Sequence, residues 1–156
     1  MWAMRGWGLT VLRVAVGTVI VAHGLQALVP VWGGSPSPSV ADLWASDGPA
    51  ALAVGLAQSA GGLMLLAGAY TSIVSLVLAL ERLAALWLFH LANGFFLNWS
   101  LTPGTGHGIE YHLLTVAVLA CLVLEGAGEL SYDAHRHRLA EADALGRARI
   151  RARTMP

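Results

Sequence analysis

The sequence predicts an all-α membrane protein, an antiparallel bundle of four transmembrane helices. Hydrophobic residues make up 56% of the 156 residues and charged residues only 12%. A soluble domain usually carries about 25% charged residues, which cover its outer faces. The apolar residues are also gathered into long stretches, and a helix needs roughly 20 of them to cross the hydrocarbon of a bilayer. Both observations favour a chain whose helices face lipid.

Four stretches meet this requirement in order along the chain. The expected helices cover about residues 8–29, 50–70, 71–98 and 110–127. Together they form a transmembrane domain over 1–133, and residues 134–156 are expected to be a basic cytoplasmic tail. The loop between the first two helices, 30–49, is rich in Gly, Pro and Ser. A short interfacial helix is predicted within it, from Ser39 to Ala45.

The second and third spans are joined by only a few residues around Tyr70 and Thr71. So short a connection predicts a tight antiparallel hairpin. The second span also carries small residues, which let a neighbouring helix backbone approach closely. These small residues are Gly55, Ser59, Gly61 and Gly62.

The distribution of arginine predicts the orientation. Arg5 precedes the first span and six arginines follow the fourth, whereas the two long loops contain no Arg or Lys. Cytoplasmic segments carry the cationic excess, so both termini are expected inside a bacterial-type plasma membrane. Arg5 before an apolar stretch is also how a signal peptide begins, but the stretch is long and contains Arg13, which favours a retained helix. The tail arginines alternate with Ala and acidic residues, which does not suit a nucleic-acid surface.

Ionisable side chains inside a membrane are costly and often mark functional sites. At 100° per residue, Ser75, Arg82, His90 and Asn93 share one face of the third helix. Most of the other polar side chains lie in the outer half of the predicted membrane. The candidate binding residues are His23, Gln26, His90, Asn93, Glu110 and His112, with His107 as a further candidate.

Several of the polar residues also have a structural interpretation. Arg82 lies near the predicted midplane, and Glu81 or an acid on another helix is expected as its partner, because a buried charge must be neutralised by something close. Arg13 lies near the inner boundary and is expected to extend to the headgroups. Gln58 and Asn98 suit simple hydrogen bonds between helices. Cys121 stands alone, so it is expected to be a small apolar residue of the fourth span.

Short sequence motifs occur in a fixed order along the chain. Leu12-Arg13 and His23-Gly24-Leu25-Gln26 open and close the first span. The other motifs are His90-Leu91-Ala92-Asn93-Gly94-Phe95-Phe96, Gly108-Ile109-Glu110-Tyr111-His112-Leu113-Leu114, and Gly126-Ala127-Gly128 followed by Leu130-Ser131-Tyr132-Asp133. Together these motifs resemble those of the DoxX family of small four-span membrane proteins, in which many members have Lys where this chain has Ala27.

The resemblance implies a membrane subunit associated with quinone-linked redox chemistry. The chain has no flavin, nucleotide or haem motif, so electrons would come from a redox partner protein, and whether the chain is itself an enzyme stays open. His23 or His90 would donate to one quinone carbonyl, Asn93 or Gln26 would hold the other, and Glu110 would relay protons. Two alternatives remain, namely a non-catalytic accessory or assembly protein and a metal-handling protein with His23, His90 and Glu110 as ligands. Either could form a homo-oligomer in the lipid bilayer.

Overall fold

The computed structural model describes the backbone of residues 3–28 and 38–154, and the side chains of residues 6–28 and 52–152. Within those ranges the regular secondary structure is entirely helical, and turns and loops connect the helices. The helices are α1 (Ala3–Leu28), α2 (Pro38–Ala67), α3 (Thr71–Ala85), α4 (Glu110–Glu125) and α5 (Tyr132–Thr154). After Ala85, α3 continues as a π-helical turn, Leu86–His90, and a 3-10 turn, Leu91–Asn93.

Two of the observed boundaries differ from the predicted ones. Helix α2 begins at Pro38, so the segment Ser39 to Ala45 is its first part and the prediction of a separate interfacial helix is wrong. Proline favours this start because its ring sets a helical φ and its missing N–H is not needed in the first turn. Residues 29–37 of the predicted loop lie outside the described residues. The helical chain after α3 ends at Asn93 rather than near Asn98.

Two helical stretches in the described part of the chain are long and apolar enough to cross a membrane, Gly6–Leu28 and Thr71–Asn93, each of 23 residues. The apolar part of α2, Leu52–Ala67, is shorter, and α4 has 16 residues. The all-α class is therefore confirmed. That α2 and α4 also cross the membrane stays a prediction.

Helices α1 and α2 pack with their backbones in close approach. A Cβ atom on Gly24 would lie 2.5 Å from the backbone nitrogen of Ser59, and one on Gly62 would lie 2.8 Å from that of Val21. Only glycine fits at such points. Gly61 faces the other way, toward Leu78 of α3. The predicted close packing along the second span is confirmed.

The turn between α2 and α3 has only three residues. Gly68 ends α2 with φ 67°, while Gly68 N donates to Leu65 O at 3.0 Å and Ala69 N donates to Met64 O at 2.9 Å. This pattern is the Schellman arrangement, in which glycine adopts the left-handed conformation after the last helical residue. The predicted hairpin is confirmed, since Gln58 of α2 also reaches Glu81 of α3 farther along.

The four helices α1 to α4 share one apolar core and present an apolar exterior. The core contains Ile20 of α1, Leu65 of α2, Leu78 of α3 and Leu119 of α4. Large apolar side chains also cover the outside, and a continuous exposed apolar surface marks a region that contacts something other than water. The most exposed of these on α1, α3 and α4 are Val11, Ile73, Leu80, Leu114 and Leu124.

Arg13 joins three segments at the end of the molecule where α2 and α4 finish. Its side chain is 1% exposed, so the expectation that it extends to the headgroups is wrong. Nε donates to Ala127 O at 2.9 Å, Nη1 to the carbonyls of Leu65 and Leu66, and Nη2 to Leu130 O. The last carbonyls of a helix have no partner within it, and one guanidinium supplies donors to several of them.

Asp133 completes this junction, which we name the inner junction after the orientation predicted from the sequence and define as Arg13, residues 65–71 and residues 126–133. Its carboxylate accepts from Tyr70 N at 2.9 Å and from Thr71 N at 2.8 Å. A carboxylate at these N–H groups stabilises the start of α3, although it comes from another element. Ser131 Oγ accepts from Ala134 N at 3.0 Å and caps α5 in the same way.

We expect Arg13→Leu to lower the free energy of unfolding by several kcal/mol. The substitution leaves buried carbonyls at the inner junction without donors, and an unsatisfied buried group costs about 1–3 kcal/mol. The thermal midpoint in detergent measures the change. Arg147→Leu, on the exposed part of α5, is the control and should leave the midpoint unchanged. An equal midpoint for both variants would contradict this role of Arg13.

Candidate functional site

The end of the molecule opposite the inner junction is formed by the turns after α3 and by the loop 94–109. His90 Nδ1 lies 2.9 Å from His107 O, and Asn93 Nδ2 donates to the same carbonyl at 3.2 Å. Asn93 Nδ2 also donates to Phe89 O at 3.1 Å. A carbonyl can only accept, so His90 Nδ1 is the donor in this contact. His90 and Asn93 therefore hold the loop.

Glu110 has a similar part at the start of α4. Its carboxylate accepts from Leu97 N at 3.1 Å, and its own N–H donates to Phe95 O at 3.0 Å. Two more backbone hydrogen bonds join Gly108 to Phe96 and Ile109 to Gly94. The loop is thus closed onto itself, with Glu110 as a partner rather than an open carboxylate.

The π-helical turn explains how His90 reaches this position. A π turn places one more residue in a turn than an α-helix does, so residues beyond it face a different direction from that expected at 100° per residue. His90 comes to lie against His112 of α4, with ring centroids 4.1 Å apart. Such turns are frequent at functional sites. The rings continue inward, with Tyr111 5.4 Å from His112 and 5.3 Å from His23.

A second group of polar side chains joins α2 and α3 and includes residues of α1 and α4. Gln58 Nε2 donates to Glu81 Oε1 at 2.9 Å, and Glu81 Oε2 lies 2.8 Å from Arg82 Nε. The latter two atoms are at ion-pair distance, but their angles do not form a hydrogen bond. Arg82 also interacts electrostatically with His23, Tyr111 and His112. We call these six residues the central polar cluster: His23, Gln58, Glu81, Arg82, Tyr111 and His112.

Several buried polar atoms of this cluster have no hydrogen-bond partner among the described residues. They include Arg82 Nη2, the Tyr111 hydroxyl and His112 Nδ1. Arg82 is 5% exposed and His112 6% exposed, so water does not reach them freely. Buried polar groups in proteins are almost always paired, and each exception needs an explanation. Three such atoms near one another, all able to donate, suit a ligand that accepts hydrogen bonds.

The predicted site residues thus separate into two groups. His90, Asn93 and Glu110 hold the loop, while His23 and His112 contact Tyr111 in the central polar cluster. Gln26 has interactions of its own on α1. His107 is an exposed residue of the loop, and its Nδ1 accepts from Asn98 N at 3.2 Å. The side chains of Glu110 and His112 belong to different groups because two residues that are two positions apart lie on nearly opposite faces of a helix.

Sequence reasoning missed Tyr111, and it treated Arg82 only as a buried charge. The signal for Tyr111 was its place in the motif between Glu110 and His112, but a tyrosine in an apolar span is not costly enough to stand out. The metal alternative finds no support in the geometry. Among the described residues, no three His, Cys, Asp or Glu side chains converge as a metal-ligand set, and those residues include His23, His90 and Glu110.

The apolar exterior, the long apolar helices and the enclosed polar cluster define a helical integral membrane protein. The comparison with known families is specific: the model of the DoxX family matches residues 8–91, which is more than half of the chain. The chain belongs to the DoxX family. No curated protein and no solved structure matches it.

We expect Arg82→Leu to destabilise the protein, because it leaves the Glu81 carboxylate in a largely buried position without its cation. Removing one partner of a buried pair costs about 3–5 kcal/mol. The double variant Glu81→Leu with Arg82→Leu should recover much of this loss, since no unpaired charge remains. Thermal midpoints of the two variants in detergent provide the measurement. If the single and double variants lower the thermal midpoint by the same amount, Glu81 and Arg82 do not neutralise each other.

Proposed function

We propose that this DoxX protein crosses the membrane four times, with both termini in the cytoplasm, and binds a quinone headgroup in the central polar cluster as a subunit of a quinone-linked redox system. The observation that carries the proposal is the set of buried, unpartnered polar atoms on Arg82, Tyr111 and His112. A quinone headgroup has two carbonyl oxygens that accept hydrogen bonds and an apolar ring. It therefore matches a site that offers donors within an apolar protein.

The donors suit the two carbonyls separately. Arg82 Nη2 and the Tyr111 hydroxyl belong to different helices, and together they can hold one oxygen. His112 Nδ1 can hold the other when that nitrogen carries the ring proton. This assignment replaces His90, Asn93 and Gln26 of the sequence-based hypothesis, because His90 and Asn93 are already engaged with His107 O.

The exposure of His23 supports entry of the quinone headgroup from the lipid. It contacts Tyr111 across α1 and α4, yet more than a third of His23 is exposed. A headgroup whose tail stays in the bilayer could therefore reach the cluster beside His23, without leaving the membrane. The half-buried His90, stacked on His112, lies between the cluster and the exposed loop, where protons can be exchanged with water. Electrons would come from a partner protein.

A second candidate function is a non-catalytic accessory or assembly protein. The observation in its favour is that His90, Asn93 and Glu110 all serve to hold the loop 94–109. A motif whose polar residues close a loop needs no ligand to account for it. The two candidates differ at the cluster, because the accessory protein has no use for unpaired donors at Arg82, Tyr111 and His112.

We expect the four-span placement to be visible by cysteine labelling. In a Cys121→Ala background, a membrane-impermeant thiol reagent added to intact cells should label Thr105→Cys and leave Ala144→Cys unlabelled until the cells are opened. The reason is that the loop faces outward while α5 lies inside. The opposite pattern of labelling would show that the orientation is inverted, and labelling of both positions from outside would exclude a membrane crossing by α4.

We expect Tyr111→Phe to lower the quinone retained by the protein. The substitution removes one hydrogen bond worth about 0.5–1.5 kcal/mol, which corresponds to roughly 2- to 10-fold in affinity. Lipid extracts of protein purified from native membranes, analysed by mass spectrometry, give the amount of quinone per protein. Binding of a short-chain quinone to protein in nanodiscs gives the affinity.

Tyr132→Phe is the matched control, because it makes the same change on the exposed part of α5. It should retain quinone like the unchanged protein. If the unchanged protein carries no quinone and binds none in nanodiscs, the proposed site is wrong and the accessory function takes its place. Equal retention by Tyr111→Phe and Tyr132→Phe would remove Tyr111 from the site.

A further inference from the structure

A second candidate site lies beside the inner junction, on α5. One face of its first turns borders a groove of about 240 Å³, lined by Asp133, Arg136, His137 and Ala140. It is at the opposite end of the molecule from the loop 94–109. It is also separate from the central polar cluster and contains none of its residues.

Arg136 is the main cation of this groove, and two aromatic rings hold it in place. Its guanidinium carbon lies 5.9 Å from the ring centre of Tyr70 and 5.9 Å from that of Tyr132. Stacking on an aromatic face uses the flat side of a guanidinium and leaves its N–H edge available. Arg136 donates no hydrogen bond to any described residue, so this edge is open to a ligand. The imidazole of His137 is next to it in the same groove.

The one acidic side chain of the groove is already occupied. Both oxygens of Asp133 accept hydrogen bonds from the start of α3, and Asp133 also interacts electrostatically with Arg13. Its negative charge is therefore stabilised by the amides at the start of α3 and by Arg13. It does not pair with Arg136, and the groove as a whole offers a positive charge to a ligand.

The surroundings indicate which anion this groove would meet. Tyr70 and Tyr132 are each about half exposed, at 51% and 49%, at the end of the apolar helices. Tyrosine is enriched at the level of the lipid headgroups. Further arginines follow on α5, and clusters of Arg beside a membrane helix attract anionic lipids. The anion at this level is the phosphate of a phospholipid.

We propose that the groove binds the headgroup phosphate of an anionic phospholipid of the inner leaflet, with Arg136 as its main ligand. The phosphate oxygens accept from the N–H edge of Arg136, and the two tyrosine rings keep the guanidinium from turning away. His137 supplies a further donor. The proposal rests on the four-span placement proposed above, and it does not depend on the quinone site.

The test uses the full chain in nanodiscs of phosphatidylcholine with and without phosphatidylglycerol. Native mass spectrometry then counts the lipids that stay on the released protein. We expect the unchanged protein to keep phosphatidylglycerol selectively, and Arg136→Gln to keep about tenfold less, because charge-assisted contacts to phosphate are among the stronger hydrogen bonds. Arg147→Gln removes the same charge from the exposed part of α5 and should keep phosphatidylglycerol fully.

Four other results of this experiment would overturn the proposed lipid site. Equal retention of the two lipids by the unchanged protein overturns the proposal, as does equal loss in Arg136→Gln and Arg147→Gln, which would indicate a diffuse attraction to the whole tail. Inorganic phosphate that displaces the lipid at moderate concentration would show a site for free phosphate instead. The thermal midpoint of Arg136→Gln in pure phosphatidylcholine should match that of the unchanged protein, and a large drop there would mean that Arg136 is structural. The cysteine labelling described above tests the placement separately.

Discussion

The buried guanidinium of Arg13 is the interaction on which the rest of the structure depends. Four helices must end or begin within a few residues of one another at the inner junction, and helix ends leave backbone groups unpaired. Around Arg13, which is 1% exposed, these groups are buried in the protein, where water does not satisfy them. Arg13 donates hydrogen bonds to the carbonyls of Leu65, Leu66, Ala127 and Leu130. Asp133 accepts hydrogen bonds from the amides at the start of α3. The hairpin of α2 and α3, and with it the position of Glu81 and Arg82, follows from this arrangement.

The motif residues at both ends of the molecule connect segments of the chain, whereas those between the two ends do not. Arg13, Ser131 and Asp133 are connectors, and the side chain of each has partners in the backbone. His90, Asn93 and Glu110 do the same at the opposite end, where they fix the loop 94–109. Between these two closed ends, the central polar cluster is the part of the described structure in which several buried polar atoms are close together and unpaired. A function that needs chemistry is therefore best placed in the middle of the molecule.

Composition and apolar periodicity were sufficient to predict the all-α class, the α2–α3 hairpin and the close packing of the second span, because these follow from length, turn residues and side-chain size. Glu81 was predictable as the partner of Arg82, because a buried charge needs a neutralising group close by, but the neighbours of Arg82 on other helices were not. The error on Arg13 has a physical cause: an arginine near a helix end can reach water or backbone carbonyls, and the choice depends on which carbonyls other helices bring there. The direction of His90 could not be predicted either, since the π turn that rotates it has no residue signature.

The π turn limits how the number of residues between α3 and the loop 94–109 can change. Residues Leu86 to His90 contain one residue more than a regular helix of the same pitch needs. Removing any one of them would let α3 continue as an ordinary helix, and the imidazole of residue 90 would swing away from His112 and from the loop. Every polar side chain would still be present, yet the connection between the central polar cluster and the loop 94–109 would be broken. Spacing along α3 is thus as much a determinant of the site as the chemistry of its side chains.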